Sequence, residues 1–124
     1  MLSHIVLFRP RPDLPPDDRR ALIEALRLAF QSIPSIRRVR VGVRRLHGAG
    51  YEQEMREDLQ IGAVLEFDDL AGLHAYLEHP AHQELGARFR ASAAAASIYD
   101  YEMSDVEDLD ALITEPLLLL PPPP

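Results

Sequence analysis

An α+β domain built on one four-stranded antiparallel sheet is what this sequence predicts, and three observations predict it. Short segments near the start, in the middle and near the end are rich in apolar and β-branched residues, as strands are. Between them run segments whose apolar residues recur at helical spacing. A single proline, Pro80, splits the last helical stretch in two. A chain of 124 residues has room for one such domain with one core.

Met1 to Arg9 reads as the first strand, with Ile5 and Leu7 on one face and His4, Val6 and Phe8 on the other. Apolar residues on both faces predict burial on both sides. His4 is a polar group in an apolar stripe and needs a hydrogen-bond partner. Arg9 to Pro16 is a proline-rich loop. A helix follows from about Pro16 to Gln31, with Asp17 and Asp18 in its first turn, where the helix dipole favours acids. Leu22, Ala25, Leu26, Ala29 and Ile33 share one face of it. Ile33-Pro34-Ser35 ends it.

Arg38 to Arg44 alternates strictly, as a half-exposed strand does, and Arg38, Arg40 and Arg44 on one of its faces read as a solvated face or ion pairs at a dimer edge ahead of an anion site. His47 to Glu57 is a polar loop, and His47 carries no motif. Leu59 to Phe67 is an apolar strand, Asp69 to about Glu78 a helix, and Pro80 to about Ala95 another. Ser97 to Met103 closes the domain as the fourth strand, with Asp100 bonded locally within it. The order β-α-β-β-α-α-β is ferredoxin-like, with helices on one face of the sheet. Ile5 and Leu7 then leave an apolar patch on the opposite face, and such patches mark interfaces.

Composition narrows the chemistry. Cysteine is absent, which removes disulfides, thiolate nucleophiles and cysteine metal sites. Lysine is absent too, excluding Schiff-base catalysis. The formal net charge is −7, and six of the acids lie between Glu102 and Glu115, so the rest is close to neutral. An acidic tail argues against nucleic-acid binding, which relies on a basic face. With no long apolar run and no basic leader, neither membrane insertion nor secretion is expected, and the default location is cytoplasmic. Residues 1–103 form the predicted domain. Residues 104–124 form a tail, acidic first and then Pro116, four leucines and four prolines. The tail docks on its own domain or a partner, serves as a docking peptide or pocket cover, or stays disordered.

The densest chemistry lies in Ala75 to His82, Ala-Tyr-Leu-Glu-His-Pro-Ala-His. Proline disfavours helix in the residue before it and suits the first turn of the next helix. The chain therefore bends between Tyr76 and His82, and their side chains approach across the corner. A helix N-terminus favours the neutral imidazole that a base requires. His74, Glu78 and His82 have a metal-like rhythm, but Pro80 interrupts the helix that would align them, so no metal is expected. His79 reads as a helix cap or surface residue.

This block, together with His4-Ile5-Val6-Leu7-Phe8 and Ile98-Tyr99-Asp100-Tyr101, resembles the stress-responsive dimeric α/β-barrel (Dabb) family over residues 2 to 101. Within that family it is similar to a plant polyketide cyclase, and the spacing of Phe67, Tyr76, His82 and Tyr101 fits. The resemblance implies a homodimer packed sheet to sheet, with a cavity in each subunit between sheet and helices. It implies His82 and Tyr76 as the catalytic pair and His4 in the pocket, without metal or cofactor. The expected walls are His4, Val6 and Phe8 from the first strand, Leu26 from the first helix, Leu85 and Ala93 from the last, and Ile98 from the final strand. Ala93 stands where the cyclase has a tryptophan, and Ile61 where it has a histidine, so the substrate differs.

The function expected is a cofactor-independent cyclase or lyase-like enzyme acting on a small apolar, carbonyl-rich molecule. His82 is the general base and Tyr76 the donor to the carbonyl. A non-catalytic, ligand-binding or stress-responsive dimer is the alternative, with His82 and Tyr76 merely satisfying each other at the corner. A cofactor-free monooxygenase is the third reading. Such enzymes often place asparagine and tryptophan in the pocket, and this chain has neither.

Overall fold

The computed structural model describes residues 1–114, and their architecture is ferredoxin-like. Strand β1 (Leu2–Pro10) leads to helix α1 (Pro16–Ser32), then to strands β2 (Arg38–Val43) and β3 (Ile61–Phe67). Helices α2 (Leu70–Glu78) and α3 (Pro80–Ser92) follow, and strand β4 (Ala93–Glu102) completes an antiparallel sheet of order β2-β3-β1-β4. The central strand β1 is paired on both sides, His4 lying opposite Leu65 on β3 and Asp100 on β4.

That pairing sorts the side chains. His4, Val6 and Phe8 share a face with Ala63, Leu65 and Phe67, under the helices. Leu65 and Phe67 are fully buried there, against Leu22, Ala25 and Ala29 of α1 and Leu73 and Tyr76 of α2. The opposite face carries Ile5 and Leu7, in register with Val64 and Gly62 on one side and with Tyr99 and Ser97 on the other. No helix covers it among the described residues, and Val64, Tyr99 and Tyr101 are exposed. Arg38 and Arg40 lie opposite Glu66 and Val64, so they border this apolar strip. Arg44 falls just past β2 and forms an ion pair with Asp58 at 2.7 Å.

Some boundaries differ from the sequence reading. Strand β3 begins at Ile61 rather than Leu59, and β4 begins at Ala93 rather than Ser97. Helix α3 stops at Ser92, not near Ala95, because Ala93 to Ala96 join β4 opposite Pro10, Arg9 and Phe8. Alanine's helix propensity is worth only tenths of a kcal/mol per residue, and ladder bonds to a central strand outweigh it. The pairing shifts register between Arg9 and Pro10, where proline has no N–H to donate. The acidic segment also has unanticipated structure: a 3₁₀ turn at Val106–Asp108 and a short helix α4 (Leu109–Thr114), both exposed. The leucine and proline run, with the roles suggested for it, lies beyond the described residues. Among the described residues no helix is long and apolar enough to cross a membrane.

Candidate functional site

The corner at Pro80 builds the site. His79 ends α2 and starts α3 with an extended backbone, ψ 140°, as a residue before proline prefers. Its Nδ1 accepts the Ala81 N–H at 3.0 Å, so His79 is the cap of α3. In an unbroken helix that N–H would bond to the Leu77 carbonyl. The Leu77 oxygen is instead left for side chains, and His82 Nδ1 donates to it at 3.1 Å, beside Gln83 Nε2 at 3.3 Å. A carbonyl can only accept, so the proton of His82 sits on Nδ1 and the lone pair on Nε2.

Tyr76, one turn before the corner, is only 2% exposed. Its ring lies edge-on to His82 with centroids 4.6 Å apart, and it also meets Phe67 at 5.4 Å and His4 at 5.7 Å. The partner that His4 requires is Asp100, which is not bonded locally within β4 as expected but reaches across to the neighbouring strand, its carboxylate accepting from Nδ1 at 2.6 Å. His4 is buried and Asp100 half-exposed. In both imidazoles Nδ1 is thus engaged, which leaves Nε2 for a ligand. Burial pushes the Tyr76 phenol up to about 12, so it stays a donor at neutral pH. Burial lowers His82 from the usual histidine value, the Leu77 bond opposes this, and nearby His4 and Arg90 lower it further. His82 is therefore the neutral, base-competent form near pH 7.

These groups border a cavity of about 260 Å³ between sheet and helices. Around it the fold brings together His4, Val6, Phe8, Leu26, Leu85 and Ile98 with Tyr76 and His82. Ala93 is not part of this wall, because α3 ends one residue earlier and Ala93 pairs with Pro10 at the end of the sheet. Phe30, Ala63, Gly86, Phe89 and Arg90 also line the cavity, and the sequence reading did not select them. Helical spacing from His82 was the available signal, since positions 86, 89 and 90 share its face. Ile61 packs against the core but is not in the wall. His74 and Glu78 are exposed, and no cluster among the described residues could hold a metal ion.

The family model described as the stress responsive A/B barrel domain matches residues 2–103. Among solved structures, the chain is similar to a dimeric protein of unknown function and ferredoxin-like fold from Bacteroides fragilis. The identity is 27% and the TM-score 0.58, covering 82% of this chain and 95% of that one. It also shares its fold with a hydroxynitrile lyase from Passiflora edulis at 18% identity and TM-score 0.64, over 85% of this chain and 94% of the lyase. A third likeness is to SnoaB, a cofactor-independent oxygenase from Streptomyces nogalater, at 12% identity and TM-score 0.61, with coverage of 85% and 94%. Among curated proteins none matches this sequence.

Proposed function

This chain belongs to the stress responsive A/B barrel domain family, and from that premise we propose that its cavity performs cofactor-independent lyase or cyclase chemistry on a small apolar carbonyl compound. One observation carries the reading: a histidine held neutral, with its lone pair on Nε2, stands beside a buried phenol in a mostly apolar cavity. His82 Nε2 takes a proton from the carbon next to the substrate carbonyl. The electron pair of that C–H bond moves into an enolate, whose oxygen accepts a hydrogen bond from the Tyr76 hydroxyl. Attack of the enolate carbon on a second carbonyl of the same molecule closes a ring by aldol addition. The His82 imidazolium then returns its proton to the new alkoxide. His4, oriented by Asp100, presents its ring to the same cavity from the sheet side.

The fold shared with a hydroxynitrile lyase supports lyase or aldol-type chemistry on this scaffold. The likeness to an oxygenase favours the monooxygenase reading less, because this chain lacks asparagine and tryptophan altogether. We further propose that two copies pair through the uncovered sheet face, as suits the strip around Ile5 and Leu7 and the dimeric relatives.

A test needs no native substrate. His82 should catalyse exchange of the α-hydrogens of bound 2-octanone with deuterium oxide, followed by proton NMR. His82→Ala should abolish the exchange while the ketone still binds, because a base acts on the transition state more than on the ground state. Binding without any catalysed exchange in the unaltered protein would leave only a ligand-binding dimer.

A further inference from the structure

Resting on that reading, we propose that Arg90 is the anchor for a carboxylate, and that the substrates are keto acids with several carbons between carboxylate and carbonyl. Arg90 is the one permanent cation in a wall that is otherwise apolar apart from His4, Tyr76 and His82. Among the described residues no carboxylate pairs with it, whereas Arg88, the other arginine of this helix, is matched with Glu84 at 3.1 Å. Its place in the last turn of α3 suggests a role on the helix dipole, but the side chain runs the other way. It folds back one turn, its Nη1 3.4 Å from where a Cβ on Gly86 would stand. A Cβ at 86 would only touch the guanidinium, but a branched side chain there would press it away from its place beside the cavity. That position is one helical turn from His82, about 6 Å along the axis at 1.5 Å per residue. A guanidinium matches a carboxylate with two parallel hydrogen bonds, so a bound acid would be held with its carbonyl toward His82 and Tyr76.

The probes are 7-oxooctanoate and 2-octanone, which share a methyl ketone end and differ in the carboxylate. Titrated into the full-length protein by isothermal calorimetry, the keto acid should bind at least tenfold more tightly. Arg90→Gln should erase that preference, the keto acid falling to the affinity of 2-octanone. Arg90→Lys should keep part of it, and Gly86→Val, which displaces the guanidinium, should reduce it. Equal affinities in the unaltered protein, a preference that survives Arg90→Gln, or failure of both probes to bind would overturn the assignment. Deuterium exchange into 2-octanone tests the catalytic reading separately. A preference without exchange removes the catalysis and leaves the anchor, and exchange without a preference does the reverse.

Discussion

Replacing Tyr76 by phenylalanine separates catalysis from architecture with one atom. The ring packs against Phe67, His4 and His82, and phenylalanine keeps all three contacts. The hydroxyl has no protein hydrogen-bond partner among the described residues and is not an orphaned buried atom, so it opens on the cavity that Tyr76 borders. Deleting it strands no partner, and the stability change should stay within ~0.5 kcal/mol. For a domain of this size that is about 2 °C in Tm, at roughly 4 °C per kcal/mol. The loss of an oxyanion donor should instead slow exchange into 2-octanone by ~10²–10³-fold. Tyr76→Ala is the contrast, since truncating a buried aromatic costs about 3–5 kcal/mol and should lower Tm by more than 10 °C. Thermal melts by circular dichroism and exchange rates by NMR read the two effects independently. If Tyr76→Phe alone lowers Tm by ~4–12 °C, the hydroxyl was holding a buried partner at about 1–3 kcal/mol, and its catalytic role fails.

The pH dependence follows from His82. Its folded value lies below the usual 6.5, so between the two the unfolded chain binds a proton that the fold refuses. Stability should therefore fall as pH drops through 6.5 toward the folded value. Exchange activity should rise with pH to a plateau whose midpoint lies below 6.5, with Tyr76 still protonated throughout. An activity midpoint above 7 would remove His82 as the base. On the sheet face, Leu7→Arg should convert the proposed dimer to a folded monomer, read by sedimentation velocity at micromolar concentration; an unaltered protein that sediments as a monomer would refute the pairing. A chain ending at Met103 retains all four strands, and its melting temperature should stay within a few degrees of the full length. Aggregation of that shorter chain would mean that the tail covers apolar surface.

Much of the fold was legible because it rests on local signals. The alternation of His4, Val6 and Phe8 with Ile5 and Leu7 assigns two faces before any partner strand is known, and Pro80 marks the helix corner by its missing N–H. Less was legible where distant pairing decides the outcome. The alanines at 93 to 96 carry a helical preference that only the ladder to β1 reverses, and Ala93 left the expected wall for that reason. The Asp100 bond to His4 joins residues 96 apart and has no local signature, whereas Arg90 and Phe89 were visible as positions on the helical face of His82. The Leu77 carbonyl that fixes the His82 tautomer is a backbone atom, and no side-chain pattern announces it.

The strand at the centre of the sheet has a consequence for how such proteins diversify. Even-numbered residues of β1 point toward the helices and the cavity, and odd-numbered ones toward the uncovered face, where the partner copy is proposed to pack. Because neighbouring positions serve different masters, substitution there is separable by parity. A comprehensive substitution scan of residues 4 to 8 should split into two phenotypes with a period of two, one in ligand selectivity and the other in association. Ligand selectivity is thereby free to drift at position 6, while 5 and 7 answer to the proposed pairing and the buried Phe8 to the core. A single inserted or deleted residue has no such freedom: it exchanges the two sets at once and should abolish both properties together.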